Sequence, residues 1–236
     1  MRARLSNGRG HRIPVTPRQM PYHKIGPDTI DIPSIAVALS RHPRYCGLLD
    51  TDAEWQVAQH SYFVAALRWK RWLGGVGEMP TAEACLLDLL HDGHEAYLCD
   101  LPSPVKRLLP EYEALCRVVQ RAIDSRAEVR RPEEDPSGKE LDDLACYMEW
   151  LEFVPEGWVE YSGRLPSTVP QWAANWPSLL SSISEVSHRD GGGYLFLSAY
   201  HHLKSGGDPA LLLRPLELVK QDPGMGALIA FARGLS

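Results

Sequence analysis

Apolar residues recur along this chain at three- and four-residue intervals, the spacing that places them on one face of an α-helix. Between residues 53 and 73, Trp55, Ala58, Tyr62, Ala65, Ala66 and Trp69 follow it. A second run covers 80 to 98, opened by Pro80 and Thr81, with Ala84, Leu87, Leu90 and His91 along one face. Upstream, Asp31-Ile32-Pro33-Ser34 before Ile35, Val37, Ala38 and Leu39 predicts a capped short helix. It ends near His42-Pro43, because a residue before proline is pushed out of the α region. Leu101-Pro-Ser-Pro104 predicts a turn before Val105 to Leu109, and helical spacing returns from Glu111 to about Glu128. It stops at the charged segment Arg130 to Ser137 and resumes from Gly138 to Phe153, with Leu141, Leu144, Ala145, Met148 and Leu151 on one face. Residues 155 to 178 then carry four prolines and three tryptophans. Further helices are expected at 179 to 188, 194 to 204, 208 to 220 and 225 to 234, with a loop at Gly191 to Gly193.

No run alternates apolar and polar residues, and no hairpin signature occurs, so the expected fold is an all-α helical bundle. The texture divides the chain into an extended arm at 1 to 28, a helical core at 29 to 154 and a helical C-terminal extension at 155 to 236. The sequence leaves open whether that extension packs on the core or forms a small subdomain. With 236 residues the chain is long enough to bury a core without disulfides or a structural metal. Its 44% hydrophobic and 23% charged residues exclude a largely disordered polypeptide. A formal charge of −5 lacks the footprint of a dedicated nucleic-acid binder. No apolar stretch is long enough to span a bilayer, and the basic N-terminus is not followed by a signal-peptide core, so a cytoplasmic protein is expected. Five cysteines at 46, 85, 99, 116 and 146 form no closely spaced pair and are expected to be reduced core thiols.

Three separated elements hold a metal-ligand set: His60, the doublet His91-Asp92, and Asp142. Imidazole and carboxylate together suit a borderline divalent ion such as Zn, Mn, Co or Fe. Such an ion lowers the pKa of a water it holds and yields a nucleophile near neutral pH. Singly, each residue is ordinary. However, Leu86-Leu87-Asp88-Leu89-Leu90 precedes the doublet, and Glu95 and Asp100 follow within ten residues. Buried charges of this kind need partners or a metal.

His91-Asp-Gly-His-Glu95-Ala-Tyr-Leu-Cys-Asp100-Leu-Pro-Ser-Pro-Val-Lys106 resembles the ligand segment of HD-domain metal-dependent phosphohydrolases, and of bacterial 5′-deoxynucleotidases in particular. Leu141-Asp142-Asp143 through Glu152 is similar to that family's last ligand helix. Ala38 to Tyr45 and Val57-Ala-Gln-His60-Ser61 resemble a phage branch that includes dATP triphosphohydrolases. The resemblance covers about residues 10 to 153.

It implies that His60, His91, Asp92 and Asp142 hold a divalent ion (Zn, Co, Mn or Mg). It further implies Glu95 as general acid/base, with Asp100 holding water or a substrate hydroxyl. Arg44, Tyr45, Lys106 and Lys139 match substrate-contacting positions, Tyr45 packing on sugar or base and the lysines reaching phosphates. Asp142 is taken over Asp143 because it keeps the spacing to Tyr147 and Leu151. His94 departs from the pattern, which has small residues there, and reads as a hydrogen bonder, an extra ligand or an exposed histidine. His188, His201 and His202 lie outside the resemblance, so a di-metal oxygenase finds little support.

The implied activity is hydrolysis of dATP to deoxyadenosine and triphosphate. Alternatives are a 5′-deoxynucleotidase acting on deoxynucleoside monophosphates, a regulatory nucleotide-binding HD protein and, disfavoured by the acidic charge, a nuclease. A homo-oligomer is also implied. Trp55, Trp69 and Trp72 read as packing residues, Glu133-Glu134-Asp135 as a solvated loop, and Arg2, Arg4, Arg9 and Arg12 as part of the arm. The three glycines at 191 to 193 lack the Lys-Ser/Thr of a phosphate loop.

Overall fold

The computed structural model describes residues 25–47, 49, 55–133, 135–154, 168–190 and 192–222. The arginine-bearing arm through residue 24, Glu134 and the expected last helix at 225 to 234 lie outside the described residues, as does most of the Pro/Trp-rich stretch. Among those described, no strand occurs, and the fold is an all-α bundle.

Three of the described α-helices start where the sequence supplies a side-chain cap. Asp31 opens α1 (Ile32–Leu39), its carboxylate accepting from the Ser34 amide at 3.1 Å. The helix stops before Ser40, three residues short of Pro43. Gln56 precedes α2 (Val57–Leu73), whose residues 57 to 67 are all buried. A one-sided apolar stripe was expected there; α2 is instead wrapped by α1 and later helices on every side of its first three turns. An antiparallel bridge at its start, Arg44 N to Trp55 O and Val57 N to His42 O, both 2.9 Å, ties the 42–47 segment to it.

The expected helix over 80 to 98 is broken. Thr81 caps α3 (Ala82–Leu89), residues 91 to 94 form turns, and α4 (Glu95–Leu98) follows. Gln120, from α6 (Pro110–Arg126), inserts into the ladder: its Nε2 donates to Leu90 O at 2.8 Å and its Oε1 accepts from the His94 amide at 3.3 Å. Those are the two groups that a continuous helix would have bonded to each other. A short α5 (Ser103–Lys106) precedes α6. Asp135 caps α7 (Pro136–Phe153), accepting from Gly138 N at 2.8 Å. Arg68 of α2 grips the carboxylate of Asp88 on α3 with Nε and Nη2 and lies 3.4 Å from Asp135, so one half-buried cation ties α2 to α3 and to the cap of α7.

Beyond the Pro/Trp-rich stretch come α8 (Trp176–Asp190), α9 (Gly192–Lys204) and α10 (Pro215–Gln221). Gly192 and Gly193 are the first turn of α9 rather than loop. A Cβ on Gly193 would stand 2.9 Å from Ala36 O, so the glycine lets α9 close on α1. The expected helix at 208 to 220 is split by Pro215 into a 3-10 turn (Pro209–Leu213) and α10. Leu195, Phe196, Ala199 and Leu203 of α9 share one hydrophobic cluster with Ile35, Phe63, Leu86 and Met148. The five cysteines are free, but only Cys85 is buried; Cys46 and Cys99 are exposed, which corrects the expectation of core thiols. Trp55 is buried, and Trp69 packs against Trp72 with ring centroids 4.7 Å apart.

Candidate metal centre

Three elements converge on one point. His60 lies on α2 and is fully buried, His91 and Asp92 stand in the turn after α3, and Asp142 is on α7. His60 Nε2 is 3.2 Å from Asp142 Oδ1 and 3.8 Å from Asp92 Oδ2. His91 Nε2 is 3.1 Å from Asp92 Oδ2 and 3.8 Å from Asp142 Oδ1. Ligand atoms of His60, His91 and Asp142 lie within 4.8 Å of one another.

The far side of each ring fixes what the near side can do. His60 Nδ1 is 2.7 Å from Glu149 Oε1, and His91 Nδ1 is 2.7 Å from Asp88 O. Carboxylate and carbonyl oxygens only accept, so Nδ1 carries a proton in both rings and each Nε2 is the nitrogen left to take a cation or a second proton. Both Nε2 atoms are buried without a hydrogen-bond partner. Two such nitrogens therefore face two carboxylate oxygens, an arrangement that calls for a cation or a proton between them.

The pKa shifts follow that geometry. Burial pulls the His91 imidazole down, but Asp92 and Asp142 outweigh it and raise the group to about 9. Burial would raise Asp142 and Asp92; the neighbouring histidines hold both well below the usual carboxylate range. Glu95 is 1% exposed, and burial, then the charges of Asp92 and Asp100, push its carboxyl up to about 8 against the opposing pull of Lys106.

The other sequence-predicted residues fall in three places. Glu95 opens α4 beside Asp92 rather than following it on a continuous helix. Lys106 bridges Glu95 Oε1 at 2.8 Å and Asp100 Oδ1 at 3.2 Å. Lys139 lies between Asp142 Oδ2 at 2.9 Å and Asp143 Oδ1 at 2.8 Å. Arg44 and Tyr45 sit behind His60. The arginine is 3.4 Å from Glu149 and donates to Cys146 Sγ at 3.0 Å, while the Tyr45 hydroxyl donates to Cys146 O at 2.8 Å.

Sequence reading missed Glu149, which is wholly buried and bonded to His60. Burial would raise its carboxyl, but His60 and Arg44 hold it low. The available signal was its position two helical turns after Asp142, among Ala145, Met148 and Phe153.

No family model matches the chain. The sequence is 36% identical over 94 residues to the uncharacterized protein YfdR of Escherichia coli strain K12, covering 40% of this chain and 45% of that protein. It is 29% identical over 135 residues to two 5′-deoxynucleotidases of Klebsiella pneumoniae, one from subspecies pneumoniae and one from strain 342, covering 48% of this chain and 66% of each. The chain thus spans about half to two thirds of the relatives it matches. None of these relatives is named as a triphosphohydrolase, so the comparisons favour the monophosphate alternative over the dATP reading. No described helix is long and apolar enough to cross a membrane.

Proposed function

We propose that this chain is a metal-dependent phosphohydrolase that cleaves deoxynucleoside 5′-monophosphates into deoxynucleoside and phosphate. The observation that carries the reading is the pair of buried, unpartnered Nε2 atoms of His60 and His91 facing Asp92 and Asp142. These four residues would hold a divalent ion, which would supply an activated water and offset charge on a phosphoryl oxygen. Glu149 and the Asp88 carbonyl keep both imidazoles turned with Nε2 inward. Glu95, whose carboxyl is pushed up by burial and by the charges of Asp92 and Asp100, is placed to act as general acid/base and to give a proton to the departing 5′ oxygen as the phosphorus–oxygen bond breaks. Lys106 holds Glu95 and Asp100 together, so the acid is fixed in direction.

Charge supports the monophosphate over the triphosphate. Lys106 and Lys139 are each claimed by two carboxylates, and Arg44 is turned to Glu149. A triphosphate tail would have to take these cations from existing partners. Named relatives that are 5′-deoxynucleotidases point the same way.

Product analysis tests the reading. Mn- or Co-loaded protein, incubated with each dNMP and each dNTP, is expected to release orthophosphate from dNMPs and leave dNTPs intact. Glu95→Gln is expected to slow the reaction on the order of 10²- to 10⁴-fold while the metal stays bound. Intact triphosphate released from a dNTP would overturn the substrate class. Metal-loaded protein with no turnover on any nucleotide would leave a regulatory binder.

A further inference from the structure

Helix α3 stops at Leu89, two residues before His91. The last carbonyls of a helix have no partner within it and must find one outside. Two of them are taken by side chains from elsewhere: Arg131 Nη2 donates to Leu87 O at 3.3 Å, and Gln120 Nε2 donates to Leu90 O at 2.8 Å. Gln120 also reaches the start of the next element. Its Oε1 accepts from the His94 amide at 3.3 Å and lies 3.2 Å from His94 Nδ1, so the histidine that departs from the family pattern is held as a hydrogen bonder.

The carboxamide cannot turn over. Its nitrogen only donates, and it meets two acceptors, Leu90 O and, at 2.9 Å, Asp124 Oδ1. Asp124 is buried and clamped by Arg131 through bonds of 2.8 and 3.0 Å. Gly93 lets α6 come this close: a Cβ there would stand 3.2 Å from Ile123 Cδ1, one turn beyond Gln120.

Leu90 O and the His94 amide are four residues apart, the pair that an α-helix joins. Deprived of Gln120, each would find its readiest partner in the other. That bond would fuse α3 with α4 and carry His91 and Asp92 off the positions from which they face Asp142 and His60.

We infer that Gln120 is a positioning residue for the candidate metal centre: locked by Asp124 and Arg131, its carboxamide holds the α3–α4 ladder open and so sets the turn that aims His91 and Asp92 inward. The inference deepens the metal reading above and rests on it.

Metal binding by the full chain tests it, with metal-free melting measured alongside. Gln120→Met keeps the length of the side chain and removes its hydrogen bonds. It should bind Mn²⁺ roughly tenfold or more weakly and give an altered Co²⁺ d–d absorption spectrum. Asp124→Asn leaves Gln120 in place but loosens its clamp, and should give a smaller loss of the same kind. Lys204→Met is the control for stability alone, because it removes the cation that holds Ala127 O, 2.7 Å away, at the far end of the same helix. Its Mn²⁺ affinity and Co²⁺ spectrum should equal those of the unmodified chain. Unchanged affinity and spectrum in Gln120→Met, at whatever melting temperature, would overturn the positioning role and leave the metal reading standing. So would a loss in Lys204→Met as large as in Gln120→Met. No bound ion in the unmodified chain would overturn the metal reading, and this role with it.

Discussion

His60 and His91 present the same nitrogen, Nε2, through unlike partners: a buried carboxylate behind one ring, a helix carbonyl behind the other. The carboxylate makes the stronger ligand, because it also feeds negative charge to the imidazole. Glu149→Gln keeps the shape and removes that charge, so divalent affinity should fall roughly 10- to 100-fold in competition with a chromophoric chelator. Unchanged affinity would detach Glu149 from the centre. The acidity of the site gives a second expectation. Glu95 titrates near 8 in the folded chain against 4.5 as its ordinary value, and His91 near 9 against 6.5. Both hold protons in the folded state that the unfolded chain has released, so stability falls as pH rises through these intervals. Asp92, Asp142 and Glu149 shift downward, and their contribution is already complete above their unfolded values. Metal-free protein should therefore show a urea midpoint that drops between about pH 5 and 9, and Glu95→Gln should flatten the drop. A midpoint that rises over the same interval would contradict the assignment. His91 and Asp92 stood out in sequence because His and Asp beside Leu86 to Leu90 conflict with burial unless something binds them, while His60 and Asp142 were joined to them by the family resemblance. Glu149 was not legible, because a glutamate on a helix reads as solvated until the packing shows which face it occupies.

Periodicity reports which residues are buried, not which amide bonds to which carbonyl, and the difference is visible at α3 and α4. Leu90, Tyr97 and Leu98 keep helical spacing through a segment whose ladder Gln120 has opened. The break is what turns His91, Asp92 and His94 out of a regular helix face. The same limit applies at α9. Three consecutive glycines suggest a loop by propensity, yet Gly192 and Gly193 are helical where close approach to α1 needs the missing side chain. Gly193→Ala separates the two influences by sign. Intrinsic preference alone would stabilise the helix by about 1 kcal/mol. The added Cβ would meet Ala36 O at 2.9 Å and Ser40 Oγ at 3.1 Å, and forcing α9 off α1 costs about 1–3 kcal/mol. Urea unfolding of the variant should show net destabilisation. A gain would mean that α1 and α9 part without cost.

The all-α architecture was legible from the absence of alternating runs, and the capped start of α1 from Asp31, whereas Asp135, read as part of a solvated loop, caps α7. The order in which helices meet was not, since nothing in Leu195 to Leu203 names its neighbours. At the level of the whole molecule the candidate ligands span α2, the 91–92 turn and α7, so an ion held there would cross-link distant parts of the chain. Binding only to the folded state, it should raise stability by about 2.7 kcal/mol at a hundred times its Kd. Calorimetry would read this as a melting temperature that climbs with added Mn²⁺ and falls back with chelator. A melting temperature indifferent to metal would remove the ion from this ligand set. Finally, α9 lies against α1, α2 and α3 although it is made last among them. During synthesis the earlier helices leave the ribosome with that apolar seat empty, although α3 and α7 already pack on α2. A polypeptide cut short after α8 would carry every candidate ligand on helices whose apolar faces lack their last cover, and should aggregate more readily than the full chain.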